Sequence, residues 1–260
     1  MSLLHALPLL IGGVTEPPLY IGLTATFLGA LSGSIFSGER KFPITGVLAI
    51  AIAVGLGGGI IRDVLLGVVP VAFTSVWYLP TAIAAAFLGF FFGSLVRLGN
   101  ILILVLDPIW MALFAVIGAQ KALNAGLSPF AAMFIGCVTA FGGGMLRDLL
   151  AHEKPELVKP GPINYAAAML GSILYVLLVY YAHLPRVPSE WITIVFVFGL
   201  RMLALKFGIK APQPVDLAAK LPMVGPAVAP EKHARKRRRT SWTKGRRRAR
   251  RRRLPAHGGG

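Results

Sequence analysis

Long apolar runs separated by short polar breaks are the dominant pattern of this chain. Seven runs, each of about 17 to 25 mainly apolar residues and so able to cross a bilayer core as a helix, predict spans at Leu19–Phe36, Ile44–Leu66, Trp77–Val96, Ile101–Gln120, Pro129–Leu150, Ile163–Ala182 and Trp191–Lys206. The breaks carry turn and charge signals: Ser37-Gly38-Glu39-Arg40-Lys41, Arg97-Leu98-Gly99-Asn100, Lys154 to Pro162, and Pro185 to Glu190. Asp107-Pro108 reads as a helix start, because an acid and a proline both suit a first turn. Arg201 interrupts the seventh run and is expected to snorkel toward an interface.

Two of the runs are broken in the same way. Gly57-Gly58-Gly59 is followed by Arg62-Asp63, and Gly142-Gly143-Gly144, 85 residues later, by Arg147-Asp148. Glycine weakens a helix by about 1 kcal/mol relative to alanine, and ionised groups inside a membrane mark functional sites. Phe27-Leu28-Gly29-Ala30 in the first run is echoed by Val116-Ile117-Gly118-Ala119 in the fourth. Spans one to three therefore match spans four to six. Three is odd, so the second triplet enters the membrane from the opposite side, which makes an inverted repeat with one span added.

The expected architecture is an all-α integral membrane protein of seven transmembrane helices. Residues 1–18 form a lead-in, 19–100 the first three-helix repeat, 101–183 the second, 184–210 the seventh helix and 211–260 a disordered polybasic tail. Leu3 to Leu10 is apolar, but it lacks a basic leader and holds Pro8, unlike a cleaved signal peptide. The positive-inside rule puts the N-terminus outside and the C-terminus in the cytoplasm. Arg40, Lys41, Arg97, Lys154, Lys159, Lys206 and Lys210 then face inward, and only Lys121 and Arg186 face out. Trp77, Tyr78 and Trp191 fit interfacial anchors, and Gly29/Gly33, Gly55/Gly59 and Gly89/Gly93 allow close helix approach.

In lipid a helix opens only where a neighbour or a wet cavity takes up its freed backbone groups. Bends at the two glycine triplets would turn released carbonyls toward a polar route, a chemistry suited to cations. The competing reading is that the glycines only let helices pack tightly. Adjacent residues on a helix do not face each other, so each of Arg62, Asp63, Arg147 and Asp148 is expected to pair with another helix, a carbonyl or water. They act either as a structural ion network or as the field along the route. Lys121 either gates that route or snorkels.

Composition narrows the class. The chain is 55% hydrophobic and 14% charged, more apolar than a soluble core of its 260 residues needs. The net charge of +17 suggests nucleic acid, yet 14 of the 27 Lys and Arg lie between Lys232 and Arg253. That basic tail would be drawn to anionic lipid or to nucleic acid. Cys137 is the single cysteine, which rules out an intramolecular disulfide. The five histidines show no ligand spacing, and Gly55 to Ile60 fails the dinucleotide-binding pattern, so an enzyme is not expected.

The doubled GGGxxRDxL motif, the Gly118-Ala119-Gln120-Lys121-Ala122-Leu123 segment after Asp107, and the three-plus-three-plus-one arrangement resemble the prokaryotic trimeric intracellular cation (TRIC) channels. The same family is also named a glycine-transporter-like membrane domain. The resemblance covers about residues 19 to 210. It implies a homotrimer in the cell membrane, in contact with lipid, each protomer having its own pore lined by spans one, two, four and five. The pore would bend at Gly57, Gly58, Gly59, Gly142, Gly143 and Gly144. It also implies passage of potassium, less selectively of sodium, with no cofactor beyond the permeant K+ or Na+ and bound lipid. Animal members carry a voltage-responsive lysine in span four, to which Lys121 is not aligned. A secondary transporter of a small solute such as glycine remains the alternative, since inverted repeats suit alternating access equally well.

Overall fold

The computed structural model describes residues 18–92, 99–155 and 164–207. The expectations for the lead-in, for Val96 and the Arg97 loop, for Lys159 and Lys210, and for the polybasic tail fall outside the described residues. Seven apolar helices stand among those described: α1 Leu19–Glu39, α2 Ile44–Leu65, α3 Tyr78–Phe92, α4 Gly99–Asn124, α5 Pro129–Leu150, α6 Asn164–Val176 and α7 Arg186–Lys206. A single turn, Val71–Thr74, bridges α2 to α3, and a π-turn, Leu177–Tyr181, extends α6. By length and composition α1, α2, α4, α5 and α7 can each cross a membrane, whereas α3 and α6 are shorter apolar helices.

The ends of the helices follow local chemistry. Pro43 precedes α2, where the missing N–H costs no helical bond. Ser128 caps α5 by accepting the Ala131 N–H at 3.4 Å, with Pro129 next in the first turn. Gly67 and Gly126, at φ +70° and +76°, let the chain leave α2 and α4 in the left-handed region.

Helix packing repeats itself in the two halves. α1 lies against α2 and α3, α4 lies against α5 and α6, and the halves meet through α1 on α4 and α2 on α5. α7 packs on α4 and α6. The core gathers Ala25, Ile50 and Val54 of the first half with Trp110, Phe114, Ile117 and Ala140 of the second. Outward-facing Phe73, Phe91, Phe130, Phe134, Val195 and Trp191 leave an apolar exterior, as expected of a surface solvated by lipid.

Two expectations are corrected by the fold. Asp107-Pro108 does not open a helix: α4 begins at Gly99 and Pro108 sits inside it. Proline inside a membrane helix is tolerated where neighbours satisfy the freed backbone group, and Asp107 is placed for a different role. Arg201 does not snorkel, for it is only 3% exposed; α7 turns it inward, onto the protein.

Candidate functional site

The two glycine triplets meet where α2 crosses α5, and their contacts come in reciprocal pairs. A Cβ on Gly58 would collide with the Thr139 carbonyl oxygen, and one on Gly143 with that of Val54. A Cβ on Gly57 would meet the Leu146 side chain, and one on Gly142 the Ile61 side chain at 3.0 Å. Each contact maps onto its twin by the same 85-residue step, so an internal pseudo-twofold axis passes through this crossing. Gly29 and Gly118 act likewise at the neighbouring helix contacts: a Cβ on Gly29 would lie 3.4 Å from the Gly55 Cα, and one on Gly118 2.9 Å from the Gly136 Cα.

Both helices continue as α-helix through their triplets. The expected opening with released carbonyls is therefore absent, and the glycines serve close packing. The physical reason is that the missing Cβ is used up by backbone-to-backbone approach, which leaves every carbonyl free to keep its own helical bond. Gly59 is the exception, with open space on its Cβ side until the Arg62 guanidinium 3.9 Å away.

Two charge clusters flank the crossing. At the C-terminal end of α2, Arg62 Nε donates to Asp63 Oδ1 at 2.8 Å, and Lys121 Nζ from α4 reaches the same oxygen at 3.1 Å. The other oxygen, Asp63 Oδ2, accepts the Val71 N–H at 2.9 Å, which fixes the single turn after α2. At the C-terminal end of α5, Arg147 Nε donates to Asp148 Oδ1 and its Nη1 to Asp107 Oδ2, both at 3.1 Å. Asp107 Oδ1 in turn accepts from Ser32 of α1 at 2.5 Å and from the Trp110 indole at 3.0 Å.

The expectation that adjacent charges would not pair is thus half wrong. Each arginine does bond its neighbouring aspartate, because the guanidinium folds back and presents its Nε, while Lys121 and Asp107 supply the cross-helix partners. An unpaired buried charge is costly enough to select this geometry. Lys121 is turned inward onto Asp63, with 12% of its side chain exposed.

A cavity of about 630 Å³ opens beside α2 at the first cluster. Gly55, Gly59, Arg62 and Asp63 line it from α2, Thr26 from α1, Phe114, Ile117 and Lys121 from α4, and Tyr78 from α3. The sequence reading missed Asp107 and Ser32 as members of the second cluster. One signal was available: Asp107 is the only acid between Asp63 and Asp148, and a buried Arg147 needs a partner beyond its neighbour. Trp110 and Ser32 gave no such sign.

Comparison with known proteins agrees with this geometry. A family profile described as "Glycine transporter" matches the chain twice, over residues 19–94 and 104–180. A UPF0126 membrane protein of Deinococcus radiodurans is 35% identical over 57% of this chain and 70% of its own length. The UPF0126 inner membrane protein YadS of Escherichia coli is 29% identical over 74% and 94%. Among solved structures, the TRIC trimeric intracellular cation channel orthologue from Rhodobacter sphaeroides superposes with TM-score 0.68 at 30% identity, over 74% of this chain and 98% of that one. A Caenorhabditis elegans trimeric intracellular cation channel shares the fold at TM-score 0.52 and 16% identity. With the doubled glycine crossing and its paired charge clusters, these matches place the chain, a multi-pass protein of the bacterial inner membrane, in the TRIC channel family, whose sequence profile bears the name glycine transporter.

Proposed function

We propose that the protein is a passive channel for monovalent cations, potassium favoured, with one pathway in each protomer of a homotrimer. In this reading all seven helices cross the membrane, with the N-terminus outside and the C-terminus in the cytoplasm. The observation that carries the proposal is the cavity beside α2, lined by Gly55 and Gly59 together with the charged Arg62, Asp63 and Lys121. That geometry occurs in a fold shared, over nearly the whole length of the relative, with a cation channel.

The pathway runs from the outer cavity past the glycine crossing to the inner cluster. Lys121, seated on Asp63 Oδ1, is the gate at the outer end, and only when it leaves does that oxygen become open to a cation. The inner cluster has two carboxylates, Asp107 and Asp148, against Arg147, which favours cations at the cytoplasmic mouth. The backbone contact between α2 and α5 is the barrier between the two ends. Helices that meet through glycine slide past each other with little side-chain rearrangement, so Gly57, Gly58, Gly142 and Gly143 are the residues of the two triplets on which opening depends most.

Purified protein in a planar bilayer with KCl on both sides should show unitary currents that persist when NaCl replaces KCl, at lower conductance. Silence at every voltage would overturn the channel. The cavity's position on one side of a sealed crossing also suits alternating access. Saturable, ion-coupled uptake of glycine into proteoliposomes without unitary currents would make the protein a transporter instead. Native mass spectrometry should give three chains per particle.

A further inference from the structure

The two charge clusters are twins by position but not by charge. Gly118 follows Gly29 by 89 residues, and the same step carries Lys121 back to Ser32 and Asp107 back to Pro18. The inner arginine, Arg147, has the neighbouring Asp148 and, through its Nη1, Asp107. Among the described residues the outer arginine, Arg62, is paired with one acid, the neighbouring Asp63, bonded through its Nε. Where Asp107 supplies a carboxylate to the inner cluster, the outer half has Pro18, and Pro18 lines the cavity together with Arg62.

The consequence is an excess positive charge in an enclosed place. Among the described residues Arg62 and Lys121 are paired with one acid, Asp63, whereas Arg147 is paired with two. The Arg62 side chain is 6% exposed, and its Nε is committed to Asp63 Oδ1. Guanidinium presents a planar fork that matches a carboxylate, and a buried cluster of two cations on one acid favours an incoming counter-charge.

The geometry points to a carboxylate-binding site in the outer cavity, in which a small ligand's carboxylate takes the place beside Arg62 and Lys121 that Asp107 holds beside Arg147. Thr26 and Tyr78 stand among the wall residues, and Phe114 and Ile117 confine the ligand to a small apolar body. A simple monocarboxylate and an amino acid share this chemistry. The amino acid has an ammonium to offer Asp63 as well. The site rests on the repeat and the cavity, so it stands whether the protein conducts or transports.

The test is direct binding to the purified full-length protein by titration calorimetry and thermal unfolding, with sodium acetate and with glycine as probes and sodium chloride at matched ionic strength as control. Saturable binding of either carboxylate, with chloride producing no comparable shift, is expected. Acetate alone would identify a simple carboxylate site, and tighter binding of glycine an amino-acid site. Arg62→Gln should weaken binding by about tenfold or more, as loss of a charge-assisted hydrogen bond does. Pro18→Asp leaves every existing ion pair in place and installs the inner cluster's acid, so it should suppress binding even if the Arg62 variant fails to fold. No saturable binding of either probe, a chloride response as large as theirs, or undiminished binding in the Pro18 variant would overturn the proposal.

Discussion

A Cβ placed on Gly142 would lie 2.9 Å from the Cα of Gly58, so α2 and α5 touch backbone to backbone where they cross. The six glycines of the two triplets are accordingly not equivalent. Gly58 and Gly143 abut carbonyl oxygens that cannot move without breaking a helix, while Gly59 faces open space. Gly58→Ala and Gly143→Ala should each destabilise by about 3 kcal/mol, at the upper end of ordinary overpacking. Gly59→Ala should be neutral or slightly stabilising, since alanine is the better helix former. Thermal unfolding in detergent measures the ranking. Equal losses for Gly58 and Gly59 would mean that the crossing is not what these glycines serve.

Asp107 holds the cluster at the C-terminal end of α5 together by accepting from Arg147, Ser32 and Trp110 at once. Asp107→Asn leaves Arg147 with half its compensation, and breaking a buried pair in this way costs about 3 to 5 kcal/mol. Ser32→Ala removes one hydrogen bond to a charged group and should cost about 1.5 to 3 kcal/mol. Urea or thermal unfolding of the two variants should preserve that order, and a harmless Asp107→Asn would remove the cluster from the structural core.

Arg40 and Glu153 offer the contrasting case. Their contact is short, 2.6 Å, but about a third of each side chain is exposed. Glu153→Gln should therefore change stability by no more than about 1 kcal/mol. Arg40→Ala should cost somewhat more, because its guanidinium also stacks 3.4 Å above the Phe36 ring. A double-mutant cycle separates the two contributions.

Lys121→Gln takes the ammonium away from Asp63 while Arg62 and the Val71 N–H still hold that carboxylate. Single-channel recording should show a higher open probability and a weaker dependence on voltage than in the native protein. An unchanged record would assign Lys121 a packing role only.

Much of the fold was readable from the chain. Apolar run length is set by bilayer thickness and needs no tertiary contact to recognise, which is why α2 and α5 begin and end within a residue of the expected bounds. The doubled GGGxxRDxL motif likewise singled out both triplets, though as bends rather than as the crossing they form, because few pressures place three glycines and two charges in an apolar helix. The cross-helix partners of those charges were hidden. Neither Asp107 with Arg147 nor Lys121 with Asp63 is near in sequence, and either pairing depends on how α4 is rotated against α2 and α5.

Residue order alone was enough for the elements, the repeat and the membrane setting, since these depend on local hydropathy and on residue types at fixed spacing. What the glycines and charges do emerged only from the packed helices. Whether a glycine bends a helix or admits a neighbour depends on what stands opposite its missing Cβ, and whether a buried charge is balanced depends on which side chains other helices bring to it.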